Sequence, residues 1–209
     1  MEKIDLRKQY KNLYLPSDKR IDIVDVPEFK FIMIDGMVHK GEKVDQSEDF
    51  AQAMEAMYGM SYTLKFASKL RKENPIDYTV MALEALWWVA NDDFEFGKPD
   101  DWLFRAMMMQ PEHITVEMFE QALAKLEKKR PNPALKKLRF EPFCEGPSIQ
   151  VMHIGPYSSE FATIDRMKAF MRENGYIRNG KHHEIYLGDP RRADPSKLKT
   201  VLRQPVKKS

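Results

Sequence analysis

Two glutamates stand inside apolar, strand-like segments, where an ionised carboxylate is unfavourable to bury and is therefore a candidate for chemistry. Glu184 lies in segment 182–187 (HHEIYL) and Glu84 lies in segment 82–86 (ALEAL). Burial raises the pKa of a carboxyl group, and a second carboxylate nearby raises one of the two pKa values further. Such a pair provides one acid and one base near neutral pH, so we take Glu184 and Glu84 as candidate catalytic residues.

Strand alternation decides which neighbours each glutamate would meet. Side chains two positions apart share a face of a strand, so Glu184 shares a face with His182 and Tyr186. Glu84 shares a face with Trp88 by the same rule. The alternatives are a solvated strand glutamate at 184 and an exposed helical residue at 84.

The sequence is rich in side chains that line pockets for flat apolar molecules. It contains 14 methionines, and aromatic residues make up 11% of the chain. Both kinds of side chain suit adaptable binding sites, although both also fill ordinary cores. The candidate ligand-binding residues are Trp88, Trp87, Tyr58, Tyr62, Phe104, Met107, Tyr157, Tyr186 and His182. Alternation with Glu84 favours Trp88 over Trp87, and Tyr157 either reaches the ligand or anchors its own turn.

Other site chemistries find little support in the sequence. His182 and His183 are adjacent, so on a strand they point to opposite faces and cannot bind one metal ion together. Cys144 is the single cysteine, which excludes a thiolate zinc site and an intrachain disulfide. No phosphate-binding glycine loop is present. The sequence therefore predicts neither a metal nor a cofactor.

Charge and hydropathy limit the partners. The formal net charge is +2, from 34 basic and 32 acidic residues, whereas nucleic-acid binding needs a concentrated basic face. No apolar run approaches the roughly 18 residues of a membrane span, and the charged N-terminus lacks a signal sequence. We expect a cytoplasmic protein with no nucleic-acid or membrane partner. The oligomeric state cannot be read from the sequence.

Periodicity and capping residues place the elements around these candidates. Ser47 and Thr115 are typical N-caps, and cations at Lys128 to Arg130 suit a helix C-terminus. Predicted helices span 47–71, 115–130 and a segment from Ser158 or Ser159 to Asn174. Predicted strands span 21–26, 29–34, 102–109, 138–143, 148–154, 182–187 and 198–204, with Pro27 separating the first two. Segment 77–89 fits either a helix or a strand.

The chain repeats one order of elements. In each half a strand ends at a glycine, Gly36 or Gly155, and is followed by a helix and then by a glutamate-bearing segment. This repetition favours a strand over 77–89. We predict an α+β fold of two pseudo-symmetric strand–helix–strand–strand repeats, with one antiparallel sheet, helices on one face and a central ligand groove.

The domain boundaries follow from this repeat. Residues 1–20 are polar and form a peripheral N-terminal extension, and one domain spans 21–205. Within it the first repeat covers about 21–110, a linking helix covers 115–130 and the second repeat covers about 138–205.

A motif in the second half is similar to a known family. Segment 153–157 (HIGPY), an amphipathic helix, segment 184–187 (EIYL) and Pro190 together resemble the GyrI-like small-molecule-binding domain. That domain is also the effector-binding part of multidrug-sensing transcription regulators. The resemblance spans roughly 21–205 and implies two repeats, a groove between them and a ligand-facing Glu184. Residues 1–20 are too short for the regulators' helix-turn-helix, so the chain looks like the standalone branch.

The resemblance leaves three functions open. Some standalone members hydrolyse electrophilic, cyclopropane-bearing DNA-alkylating compounds, which implies a detoxifying hydrolase acting on hydrophobic xenobiotics. The same aromatic pocket with an ionised glutamate would instead bind or sense lipophilic cationic drugs without catalysis. A protein-interaction module acting on gyrase is the third reading. Two carboxylates exceed what cation binding requires, which favours the hydrolase.

Overall fold

Apolar alternation along the strand segments produces an antiparallel sheet covered by helices. The computed structural model describes residues 3–90, 100–190 and 192–209. Within them the strands are β1 (Lys3–Ile4), β2 (Asp22–Val38), β3 (Asp77–Tyr78), β4 (Leu83–Trp88), β5 (Trp102–Gln110), β6 (Arg139–Ile154), β7 (Tyr176–Arg178), β8 (His182–Tyr186) and β9 (Lys199–Lys208). The helices are α1 (Leu6–Gln9), α2 (Lys11–Tyr14), α3 (Glu48–Lys69), α4 (Val116–Lys129) and α5 (Glu160–Glu173).

The main sheet closes on itself. Its strand order is β6-β2-β5-β4-β8-β9-β7, and β6 also pairs with β9. Six strands therefore form a barrel-like ring with an inner and an outer face, and β7 extends the sheet beside β9. The short β1 and β3 pair separately, in parallel.

The predicted α+β fold of two similar halves is confirmed. One half supplies β2, α3, β4 and β5, and the other supplies β6, α5, β8 and β9. The halves join where β2 pairs with β6 and where β4 pairs with β8. Helices α3 and α4 pack on the outer face of the first half, and α5 packs on that of the second. The seam between β4 and β8 thus runs between α3 and α5.

Local signals account for the helix starts. The hydroxyls of Ser47 and Thr115 accept hydrogen bonds from amides in the first turns of α3 and α4, as predicted for N-caps. Ser159 precedes α5 but makes no such bond. Its hydroxyl instead donates to the Pro156 carbonyl at 2.7 Å.

Two strand predictions need correction. The separate strands expected on either side of Pro27 are one strand, β2, because Val26 and Glu28 both keep their pairing with β6. The segments 138–143 and 148–154 are likewise merged into β6. A proline inside a strand loses one ladder hydrogen bond, and here the long pairing on either side compensates for it.

The expectation of a peripheral N-terminal segment is also wrong. Leu6, Leu13 and Tyr14 are buried among the apolar side chains that fill the inside of the ring. Leu6 is the buried residue of α1, and Leu13 and Tyr14 are the buried residues of α2. The segment therefore closes one end of the ring interior.

In the described part of the chain, no helix has the length and apolar composition needed to cross a membrane.

Candidate functional site

The register of β4 and β8 separates the two glutamates. Glu184 pairs with Ala85, and Glu84 pairs with Ile185. Directly opposed residues of antiparallel strands share a face, so Glu184 lies on the outer face and Glu84 on the inner face. The prediction that both carboxylates meet in one groove is therefore wrong. Side chains do alternate between faces along each strand, as predicted. The residue that lies opposite Glu184 is Ala85 and not Glu84, and this offset of one residue puts Glu84 on the other face of the sheet.

Glu184 ends a chain of hydrogen bonds on the outer face. Trp87 Nε1 donates to the Tyr186 hydroxyl at 3.0 Å, and that hydroxyl donates to Glu184 Oε2 at 2.7 Å. His182 Nε2 lies 3.4 Å from the other carboxylate oxygen. Glu184 is only 5% exposed. We call these four residues, together with Tyr157 and Glu160, the outer-face cluster.

Aromatic rings border this carboxylate. The Tyr157 ring packs edge-on against the Tyr186 ring, with centroids 5.7 Å apart. Burial and the charges of Glu160 and Glu184 raise the pKa of Tyr157 to about 12, so it remains a neutral phenol. Tyr58 of α3 also raises the pKa of Tyr157, because its hydroxyl lies close enough to interact with that of Tyr157 electrostatically. Side chains from both halves therefore approach the seam, and Tyr58 and Tyr157 are partly exposed above it.

The Gly-Pro-Tyr turn positions the start of α5. Gly155 has a φ of +138°, and a Cβ there would lie 3.1 Å from Ser159 Oγ. His153 braces the turn, with Nε2 3.2 Å from Ser159 Oγ and Nδ1 3.0 Å from Thr163 Oγ1. The turn thus fixes the residues that directly precede and begin the helix.

Sequence reasoning missed Glu160, the first residue of α5. Its side chain is 3% exposed and lies beside Glu184 on the outer face. Burial, then the charge of Glu184, raise the pKa of Glu160 to about 9. An acidic residue in the first turn of a helix is usually an exposed partner of the helix dipole, so its type and position gave no signal of burial.

The basic group that the structure places beside Glu184 is the His182 ring. Among the described residues, no Lys or Arg side chain forms an ion pair with Glu184 or Glu160. A buried carboxylate in these surroundings favours a cationic or proton-donating group brought by a ligand.

Glu84 belongs to a separate ionic network inside the ring. The Tyr14 hydroxyl donates to Glu84 Oε1 at 2.6 Å, and His183 Nε2 lies 3.1 Å from Glu84 Oε2. His183 Nδ1 lies 2.9 Å from Glu145 Oε1, and Arg203 Nη1 donates to Glu145 Oε2 at 3.0 Å. We call these five residues the inner network.

The inner network balances its own charges. Burial lowers the pKa of His183, but the carboxylates of Glu145 and Glu84 outweigh it and raise that pKa to about 9. Burial raises the pKa of Glu145, but His183 and Arg203 lower it to about 2. Two cations therefore face two carboxylates. The adjoining cavity has a volume of about 10 Å³, roughly enough for one water molecule.

The other predicted wall residues divide between the two faces. Trp87 lies on the outer face with Glu184, whereas Trp88, favoured by alternation with Glu84, lies on the inner face under Lys181. Met107 is buried inside the ring, so it does not line the outer-face cluster. Phe104 is buried behind Trp87, with ring centroids 5.7 Å apart. Tyr62 is exposed on α3, one turn beyond Tyr58.

The described residues hold no group of three or more His, Cys, Asp or Glu side chains arranged to bind a metal ion.

Comparison with known proteins gives a family for this arrangement. The sequence model of the GyrI-like small molecule binding domain matches residues 19–207. No curated protein sequence is significantly similar to the chain.

Solved structures agree with the family match. An uncharacterized conserved protein from Listeria innocua is 36% identical with a TM-score of 0.87, and the alignment covers 98% of this chain and 100% of that one. A hydrolase encoded by lin2189 from Listeria innocua is 34% identical with a TM-score of 0.85, over 99% and 100% of the two chains. The EcmrR C-terminal domain is 12% identical with a TM-score of 0.56, over 91% and 98%, and shares the fold alone. With two similar halves meeting over a buried glutamate, the chain belongs to the GyrI-like small molecule binding domain family.

Proposed function

We propose that the protein binds a flat, hydrophobic organic molecule over the seam between β4 and β8 and hydrolyses electrophilic, cyclopropane-bearing compounds of this class. The observation that carries the proposal is the buried Glu184 carboxylate at the end of the Trp87–Tyr186 hydrogen-bond chain. Aromatic side chains from both halves supply apolar contact area beside it. The relative from Listeria innocua that is described as a hydrolase supports catalysis, at 34% identity over the whole chain.

Glu184 has the surroundings of a general base. The Tyr186 hydroxyl donates a hydrogen bond that orients its carboxylate, and the His182 ring lies 3.4 Å from the other carboxylate oxygen. A water molecule held by the free lone pairs of this carboxylate would lose a proton to it as the water oxygen attacks the strained ring. Glu84 is excluded from this role because it faces the inside of the ring.

The Glu184→Gln variant tests the catalytic role. We expect hydrolysis of an activated cyclopropane to fall by about 10²–10⁴-fold, the usual contribution of a general base, while binding of a neutral aromatic ligand persists. Product formation is measured by mass spectrometry and binding by melting shift. Glu84→Gln is the matched control, since it makes the same change to a buried glutamate on the adjacent strand and should keep turnover wherever it folds. Wild-type-like turnover by the Glu184 variant would contradict the proposal.

A non-catalytic binder of lipophilic cations is the second candidate. It is favoured by the absence of an Arg or Lys ion pair at Glu184 among the described residues, because a ligand cation could take that place beside the aromatic rings. In that case Glu184→Gln would weaken a quaternary ammonium ligand strongly and a neutral ligand little, and no product would form with either protein.

A further inference from the structure

The outward side of α3 carries a continuous apolar stripe. Its large side chains stand four residues apart and are Tyr58, Tyr62, Phe66 and Leu70. Their exposed fractions rise along the helix, from 41% at Tyr58 to 73% at Leu70. Residues four apart lie on successive turns of a helix, so these side chains form one ridge, which we call the α3 stripe. Single exposed apolar residues are ordinary, whereas a contiguous row of them is typical of an interaction surface.

Charge is kept away from the α3 stripe. Between Glu55 and Lys69 the helix has one charged residue, Lys65. The Lys65 side chain is only 13% exposed, and its Nζ atom lies 2.6 Å from Asp77 Oδ1. Its charge is therefore neutralised by the fold and does not border the stripe.

Small residues run alongside the α3 stripe. Thr63 and Ala67 each directly follow a stripe residue, so they leave a shallow groove next to the ridge. Helices that insert such ridges into each other's grooves cross at about −50°, the commonest class of helix packing in globular proteins. The exposed side of α3 thus has the shape that receives another helix with a matching ridge.

The charges of α3 identify the helix that matches it. The acidic residues all lie in the first half of α3 and the basic residues all lie in the second half: Glu48, Asp49 and Glu55, then Lys65 and Lys69. Exposed Arg71 and Lys72 continue the basic end beyond the helix, and Glu73 offsets one of them. An antiparallel second copy brings each acidic end to a basic end and aligns the two helix dipoles favourably. A parallel copy would bring like charges together.

We propose that the α3 stripe is the contact of a homodimer, in which two copies of α3 cross antiparallel about a two-fold axis between Tyr62 and Phe66. In this register Tyr62 of one copy faces Phe66 of the other, and Tyr58 faces Leu70. The inference does not depend on the proposed function. Tyr58 also borders the seam between β4 and β8, so each proposed ligand site lies at the edge of the dimer contact.

The area of the α3 stripe suits the core of such a contact. Large side chains of this kind, each about half exposed, offer on the order of 100 Å² apiece, or about 400 Å² per copy. Each partner of a standard interface buries roughly 800 Å², of which the outer part is a polar rim. The stripe therefore supplies about half of the buried area, and the polar residues around it supply the rest.

Phe66→Glu tests the contact, because it places two like charges at the centre of the dimer. Sedimentation velocity between about 1 µM and about 200 µM covers the affinities expected for an interface of this size. We expect wild-type protein to reach the sedimentation coefficient of a dimer in this range, and the variant to associate at least about 100-fold more weakly. Leu70→Glu, at the most exposed stripe position, should behave in the same way and serves if Phe66→Glu does not fold.

The matched control is Ile177→Glu on β7. Ile177 is exposed to a similar extent, 45%, and lies opposite Lys207, which favours a glutamate there. This variant should dimerise like the wild-type protein. Wild-type protein that is monomeric at every concentration overturns the proposal, and so does a dimer that both stripe variants leave intact. Monomeric protein that sediments with phosphatidylcholine vesicles also overturns it and assigns the stripe to a lipid surface.

Cross-linking tests the antiparallel orientation. Tyr58→Cys and Leu70→Cys are prepared separately in a Cys144→Ser background and then mixed. A bismaleimide that spans about 10 Å, close to the distance between packed helix axes, should link one variant to the other in preference to linking either to itself. Predominant links within each variant overturn the antiparallel contact.

Discussion

Consecutive side chains of β8 point to opposite faces of the sheet. Glu184 faces the helices and the outer-face cluster, whereas His183 faces the inside of the ring and bridges Glu84 and Glu145. Because side chains alternate strictly along a strand, the side chains of His183 and Glu184 lie on opposite sides of the backbone and do not contact each other. Substitutions at 183 should therefore act through stability, and substitutions at 184 through the ligand.

The Tyr14 hydroxyl is the contact through which the N-terminal segment reaches the inner network. Its hydrogen bond to Glu84 measures 2.6 Å, and both side chains are buried. We expect Tyr14→Phe to lower the free energy of unfolding by about 1–3 kcal/mol, because it leaves a buried carboxylate oxygen with one donor fewer. Urea denaturation measures this change. Tyr10→Phe is the control, since it keeps the ring that packs against Phe29 and removes a hydroxyl whose contact with Gln9 is exposed. Equal stability losses in the two variants would contradict the assignment.

At the scale of elements, the turn between β6 and α5 links the fold to the site. Gly155 adopts a φ of +138°, a region that side-chain-bearing residues rarely occupy. Gly155→Ala should cost about 1–3 kcal/mol of stability and should also weaken ligand binding, because the turn holds Tyr157 and Glu160. Unfolding and ligand titration measure the two effects.

Gly41 supplies the control for this prediction. It also has a positive φ, of +84°, but a Cβ there would meet no atom within 4 Å. Gly41→Ala should lower stability while leaving ligand affinity unchanged. If both alanine variants bind ligand like the wild-type protein, the turn does not position the site.

The elements that the sequence predicted well are those with local signals. Ser47 and Thr115 carry capping hydroxyls ahead of amphipathic runs, and both helices begin there. The similar order of elements in the two halves favoured a strand over the ambiguous segment 77–89, and the structure has two strands there, Asp77–Tyr78 and Leu83–Trp88. It did not fix the position of Glu84, because a similarity of order has no single-residue precision whereas a strand face changes at every residue.

Two features required tertiary information. Leu13 and Tyr14 lie in a short polar segment whose helices are too brief to show a convincing period, yet they fill the ring interior. Glu160 looks like an ordinary first-turn acid, and only the packing of α5 against β8 and β9 buries it. Pairings between distant parts of the chain determine both.

At the scale of the molecule, buried titratable groups on both faces set the pH dependence of folding. His183 has a folded pKa of about 9, above the ordinary value of roughly 6.5 for an unfolded chain. The protonated His183 contributes at most about 3 kcal/mol to the free energy of unfolding. This contribution is fully present below a pH of about 6.5 and is lost as pH rises through about 9. The pKa of Glu160 is also raised to about 9. This shift lowers the stability of the folded state as pH rises from about 4.5 to about 9, so it acts in the same direction as that of His183. Urea midpoints measured at several pH values should therefore decrease from neutral to alkaline pH.

Variants and acid titration separate the contributions. Glu160→Gln should flatten part of the alkaline decrease and leave the part due to His183. Glu145, with its pKa lowered to about 2, stabilises the fold above its ordinary pKa, and this contribution should disappear as pH falls from about 4.5 toward 2. A midpoint that is constant from neutral to alkaline pH would show that neither buried group is shifted.

Closure of the sheet has a consequence for the behaviour of the protein in concentrated solution. Since β6 pairs with both β2 and β9, each of the six ring strands has a neighbour on either side. Unpaired strand edges are the template on which chains add to one another in aggregates and fibrils. Where a ring strand is paired on both sides, as at 30–33 of β2 and 148–150 of β6, that template is absent, and backbone-mediated self-assembly cannot start there.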